Sequence, residues 1–109
     1  MQTLNLKALL PAALMVLGSI STSAMAADGA ELYKTKLCVT CHGEEGKKPI
    51  APGYPKLAGQ DEKYLLDQSK YIKAGTRSSG LSAAMMPMVQ AVTEEELAAI
   101  AAYLSGVTP

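Results

Sequence analysis

The chain reads as all-α and as one small domain. Three segments carry helix signals, and no segment alternates β-branched or aromatic residues as a half-buried strand does. Two long stretches between the helices have no regular pattern. A length of 109 residues suits a single domain. The 10 basic and 10 acidic residues cancel, and only 18% of the chain is charged. That balance excludes a nucleic-acid binder with a basic face and a charge-rich disordered chain. Two cysteines are too few for a disulfide scaffold or a four-cysteine zinc site. One histidine excludes any site that needs two imidazoles from one chain.

Met1 to Ala26 reads as a cleaved secretory signal. Lys7 is its only charged residue, and the run from Ala8 to Gly18 is apolar apart from Pro11. Ser19, Ser21, Thr22 and Ser23 end that run, and Ala24-Met25-Ala26 supplies small residues for cleavage before Ala27. An uncleaved membrane anchor is the competing reading. It needs about 18 continuous apolar residues, and this run is shorter and interrupted by Pro11. Export with cleavage leaves residues 27–109 as the folded domain, with no stable membrane insertion. So short a chain buries only about 60% of its unfolded surface. Domains of that size often need a disulfide, a metal or a cofactor to hold them together.

The first helix starts at Asp28, a good cap, and is expected to run through Ala30, Leu32, Tyr33 and Leu37 toward Cys38. The second is capped by Asp61, repeats Tyr64, Leu65, Gln68, Tyr71 and Ile72 at helical spacing, and stops at Gly75. The third opens on a capping box, Thr93 with Glu96. Glu94, Glu95 and Glu96 suit the positive end of its dipole, and Leu97, Ile100, Ala101 and Leu104 form its apolar stripe. The stretch 43–60 holds four glycines and three prolines, and 76–92 contains Ser78, Ser79, Gly80 and Pro87. Both are expected to be irregular. Loops of that length in a compact domain are usually functional. Ile50, Leu57, Leu81, Met85, Met88 and Val89 need something to pack on, and a large flat cofactor between the loops would supply it.

Cys38-Val39-Thr40-Cys41-His42 is the C-x-x-C-H signature of covalent haem attachment. Positions i, i+3 and i+4 share one face of a helix. Cys38, Cys41 and His42 therefore point the same way, with two thiols for the vinyl groups on one porphyrin edge and an imidazole for the iron. Three other readings compete. A thioredoxin-like dithiol expects a βαβ setting. A zinc site lacks a clear fourth ligand. A disulfide between Cys38 and Cys41 would close a very short loop and constrain little chain. No second histidine exists for the other axial position. Met85, Met86 and Met88 survive signal removal, and one of them is expected to take it. A Met cluster also serves as core filler. A His/Met pair raises the reduction potential and closes both axial positions.

With these residues in hand, the chain resembles the small class I cytochromes c, most closely a single-haem relative of the periplasmic cytochrome c-four group. The resemblance spans 28–107. Beyond Cys38 to His42 it rests on Tyr54-Pro55-Lys56-Leu57-Ala58-Gly59-Gln60, on Tyr64-Leu65 with Gln68, on Lys73-Ala74-Gly75 followed by Arg77, on the methionine loop, and on Ala101-Ala102-Tyr103. It implies the class I cytochrome c fold, three main helices and long loops around one covalently bound haem c. It implies Cys38 and Cys41 as thioether links, His42 as proximal ligand and Met85 as distal ligand, with Met86 and Met88 in reserve. It further implies a proline carbonyl on the proximal imidazole, assigned to Pro52 with Pro49 as the alternative. Gly29 and Tyr33 are expected to cross Ile100, Tyr103 and Leu104. The chain departs from the group in having one haem domain rather than two.

The function implied is a periplasmic monohaem cytochrome carrying single electrons between transient redox partners, not an enzyme by itself. Alternatives are a haem-bearing subunit of a periplasmic dehydrogenase or reductase complex, and a haem enzyme or gas sensor with a weak sixth ligand. Lys34, Lys36, Lys47, Lys48 and Lys56 lie around the haem motif in sequence. Such a group is either ordinary solvated surface or a patch that steers a partner to the haem edge.

Overall fold

The structure is a computed structural model that describes residues 28–109. The expected signal, Met1 to Ala26, lies outside them. Among the described residues there are five α-helices and no strand: α1 (Gly29–Thr35), α2 (Cys38–His42), α3 (Glu62–Ala74), α4 (Ser82–Val89) and α5 (Glu94–Ser105). A single 3-10 turn, Glu44–Gly46, follows α2.

The capping residues behave as their chemistry dictates. Asp28 Oδ1 accepts from the amides of Ala30 at 2.9 Å and Glu31 at 3.3 Å. Asp61 Oδ1 accepts from the Tyr64 amide at 2.8 Å. Thr93 and Glu96 form the reciprocal box, with the Glu96 amide 3.1 Å from Thr93 Oγ1 and the Thr93 amide 3.0 Å from Glu96 Oε1. Gly75 closes α3 in the left-handed region, where a glycine carries no Cβ penalty.

Two expectations are corrected. The first helix does not run on to Cys38. It ends at Thr35, and Leu37 takes a left-handed conformation (φ 66°) that turns the chain before α2 begins. That conformation costs a non-glycine residue roughly 1–2 kcal/mol, and it lets α2 leave at a new angle. The stretch 76–92 is not irregular throughout, because Ser82 to Val89 form α4. Its Pro87 and its lack of a capping side chain hid it from the sequence reading. The proline nevertheless sits inside the helix, and apolar packing of Val89 and partial burial of Met85 and Met86 hold the segment in place.

The core joins Tyr33 of α1, Leu65 and Ile72 of α3, Val89 of α4, Val92, and Leu97, Ile100, Ala101 and Leu104 of α5. The α1–α5 crossing organises it. Gly29 is required there: a Cβ would meet Ala99 O at 2.1 Å and Tyr103 Cβ at 2.7 Å. The Tyr33 and Tyr103 rings pair across the crossing at 5.9 Å, tilted by 53°, a favourable offset geometry for aromatic quadrupoles.

Replacing Gly29 by Ala is expected to force α1 and α5 apart and to cost about 1–3 kcal/mol, as overpacking does; denaturant unfolding measures it, and an unchanged midpoint would refute the close contact. Thr93→Ala is expected to cost about 1 kcal/mol through loss of the cap. The Thr93 amide holds the Glu96 carboxyl below the ordinary glutamate range. A depressed folded pKa stabilises above the unfolded value, so the box contributes at neutral pH and is lost as pH falls through the lowered value. The stability gap between wild type and Glu96→Gln should therefore close on acidification.

Candidate functional site

The helix α2 places Cys38, Cys41 and His42 within five residues, each on the next turn's face. His42 is nine-tenths buried, 7% exposed. Its Nδ1 lies 2.9 Å from the carbonyl oxygen of Pro55. A carbonyl only accepts, so Nδ1 carries the proton and donates, which leaves the lone pair on Nε2. Among the described residues no fully buried side-chain nitrogen or oxygen lacks a partner. Burial pushes the imidazole pKa down, and the Pro55 bond opposes that only in part. The ring is thus fixed at one nitrogen, and burial disfavours its charged form, both of which suit a metal ligand.

The carbonyl on His42 belongs to Pro55, not to Pro52 or Pro49. Pro52 is exposed. The reason lies in the backbone of 43–60. After His42 the chain reverses at Gly43, where a Cβ would meet Lys48 O at 2.0 Å. The amides of Leu57 and Ala58 then both donate to Gly46 O, at 2.9 and 3.1 Å. These bonds draw the segment just before Leu57 beneath α2 and deliver Pro55 to the ring. Pro55 stood inside the Tyr54–Gln60 run, and its neighbours' anchoring, not its distance from His42 along the chain, was the usable signal.

The thiols are half-buried and unpaired with each other. Burial, followed by the nearby Cys41, holds the Cys38 thiol pKa above its ordinary value, although its own backbone amide lowers it somewhat. A reactive dithiol needs the opposite shift, so the thioredoxin-like reading loses its chemistry. Among the described residues no group of three or more His, Cys, Asp or Glu side chains gathers around a metal position. Cys38 and Cys41 therefore present two partly exposed thiols beside an imidazole whose Nδ1 is taken by a carbonyl. That donor set fits a covalently attached haem.

One further residue was missed by sequence. The Tyr33 hydroxyl, on a ring 1% exposed, donates to Gly43 O at 2.6 Å. Burial, then the charge of nearby Cys38, raises its pKa and keeps it a donor. The bond ties α1 to the residue that follows His42. Only the α1–α5 crossing brings the two together, so no local motif announces it.

The three candidate methionines diverge. Met85 and Met86 are half-buried against the core, and Met88 is 43% exposed. Met86 turns its sulfur toward the end of α3, where Sδ would lie 3.8 Å from a Cβ on Gly75. Of the lysines, Lys36 pairs with Glu96 at 3.4 Å and Lys47 with Glu45 at 3.6 Å. Lys34, Lys48 and Lys56 have no ion pair among the described residues.

An all-helical domain built around a haem-attachment helix defines a c-type cytochrome. Residues 26–108 match the family described as Cytochrome c, and the chain belongs to that family, electron carriers with covalently attached haem c. Cytochrome c-554(548) of Halomonas halodenitrificans is 44% identical over 66% of this chain and 86% of its own. A protein of Thiomonas intermedia named thiosulfate dehydrogenase electron acceptor is 35% identical over 89% of this chain and 43% of its own. Among solved structures, reduced recombinant cytochrome c4 from Pseudomonas stutzeri superposes with a TM-score of 0.61 at 36% identity, over 76% of this chain and 46% of that one. The chain spans about half the length of the cytochrome c4 relatives it matches. No described helix is long and apolar enough to cross a membrane.

Tyr33→Phe is expected to leave the helices intact but to remove one of the two donors on the Gly43 carbonyl, which keeps the Gly46 amide at 3.0 Å, at a cost of about 0.5–1.5 kcal/mol. Denaturant unfolding of the two proteins side by side checks this, and equal stability would mean that water replaces the hydroxyl freely.

Proposed function

We propose that this chain is a periplasmic single-electron carrier in which His42 and Met85 are the axial ligands of one haem c, held by thioethers from Cys38 and Cys41. The observation that carries the reading is the fixed imidazole: Nδ1 donates to Pro55 O at 2.9 Å, which leaves the lone pair on Nε2. When bound, haem supplies an iron that gains and loses one electron. The chain's own part is to hold ligands so that neither oxidation state requires rearrangement. Pro55 prevents the His42 ring from rotating and raises its basicity through the Nδ1 bond. Tyr33 fixes the exit of α2 through Gly43 O. Cys38 and Cys41 attach on the face that His42 shares.

Met85 is favoured over its neighbours by packing. Met86 has its sulfur docked near Gly75, and Met88 stands outward. Successive helical residues point about 100° apart, so Met85 and Met86 cannot serve the same position without a shift in register. Held by both His42 and Met85, the iron would have no open position, which would suit electron transfer and disfavour the gas-sensor and haem-enzyme alternatives. Residues 1–26, read as a secretory signal, support export to the periplasm. The Thiomonas relative's name supports a redox enzyme as donor. Lys34, Lys48 and Lys56 are the cations available to a transient partner, an encounter that should weaken as salt rises.

The test is the protein made in cells with working cytochrome c maturation. Its intact mass should equal residues 27–109 plus one haem, and reduction should sharpen its visible absorption bands. A colourless product with the mass of the polypeptide alone would end the proposal. Met85→Ala should keep the haem, lower the potential and admit carbon monoxide to the reduced protein, whereas Met86→Ala should keep the haem and do neither of the others. The reverse pattern would move the ligand to Met86.

A further inference from the structure

The helix that carries Met85 is poorly equipped to hold itself. It is eight residues long, has no side-chain cap, and contains Pro87. A segment that short is unstable alone. The proline also leaves one carbonyl of the preceding turn without its helical donor. An open groove, lined by Lys73, Gly75, Ala83, Met86, Pro87 and Gln90, separates α4 from the end of α3. Apolar packing does not close that gap.

Polar side chains bridge it instead. Gln90 Nε2 donates one hydrogen to Lys73 O at 2.9 Å and the other to Met86 O at 3.2 Å. Both acceptors belong to the last turns of their helices, where carbonyls lack intrahelical donors. A single amide therefore caps α3 and α4 together. Because both partners are acceptors, only the NH2 end of the side chain satisfies them. Lys73 returns the tie: its ammonium donates to Val92 O, just beyond α4. Lys36 of the α1–α2 turn reaches Ala91 O at 3.4 Å.

We propose that Gln90 and Lys73 are positioning residues for the distal methionine, a clamp that fixes α4 against the end of α3 so that Met85 would be held ready for the iron. The proposal rests on the His42/Met85 reading. Without the clamp α4 slides or rocks across the groove, and the methionine spends more time off the metal. An added ligand then competes more easily.

The experiment titrates the ferric holoprotein with imidazole and follows the far-red absorption given by a methionine sulfur on ferric haem. Gln90→Leu is expected to bind imidazole about threefold to tenfold more tightly, the worth of one hydrogen bond, and to lose part of the far-red band. Gln90→Lys, which keeps an N–H donor, should recover most of the wild-type affinity. Lys73→Met should resemble Gln90→Leu, and Lys73→Arg the wild type. Thr93→Ala, which loosens α5, serves as the control for general destabilisation and should leave imidazole affinity within twofold. An unchanged affinity in both Gln90→Leu and Lys73→Met, or an equal rise in Thr93→Ala, overturns the clamp. Met85→Ala and Met86→Ala, run beside them, test the ligand itself. If neither strengthens imidazole binding, the methionine reading fails and the clamp fails with it. If one does while neither Gln90→Leu nor Lys73→Met does, only the clamp fails.

Discussion

The hydrogen bond from His42 Nδ1 to the Pro55 carbonyl is the constraint on which the site depends. An imidazole on a five-residue helix has two soft torsions and two chemically different nitrogens. Binding one nitrogen to a backbone oxygen removes the rotation, selects the tautomer and leaves the lone pair on the other nitrogen. Burial reinforces the choice by disfavouring the charged ring. A backbone acceptor is well suited to the task because its position is set by the fold of its own loop, not by a flexible side chain.

Much of the remaining architecture holds that bond in place. The amides of Leu57 and Ala58 seat the proline segment on Gly46 O, and Tyr33 reaches from α1 to Gly43 O. Tyr33 is in turn fixed by α5, through the ring of Tyr103 and the close approach that Gly29 allows. The two helices at the chain ends thus act on a site neither of them contributes to. In the proposed reading the ligands sit on short or weakly capped segments, α2 and α4, while the longer and better capped α3 and α5 supply stability. That division suits a small domain whose loops are completed by a rigid cofactor.

The same division explains the polar ties around α4. A helix interrupted by a proline and facing an open groove takes its position from neighbours. Glutamine and lysine provide it by reaching carbonyls that helix geometry leaves free. Lys36, which in sequence belongs with the lysines near the haem motif, spends its charge inside the molecule on Glu96 and Ala91 O. The surface offered to a partner is correspondingly narrower than the sequence suggests.

Local chemistry was legible from the residues alone. Asp28, Asp61 and the Thr93–Glu96 box mark helix starts because capping involves groups two or three residues apart, and the five-residue haem motif carries its own geometry. Membership in the cytochrome c family followed from such short-range patterns. Pairings between distant segments were not legible. The Pro55 carbonyl was confused with that of Pro52 because its delivery to His42 depends on Gly46 meeting Leu57 across a folded loop. The left-handed turn at Leu37 and the helix around Pro87 went unread because in each case tertiary packing offsets a local penalty. A sequence states which groups seek partners over a few residues; which distant group answers is settled only when the chain closes on itself and excludes water from the space between.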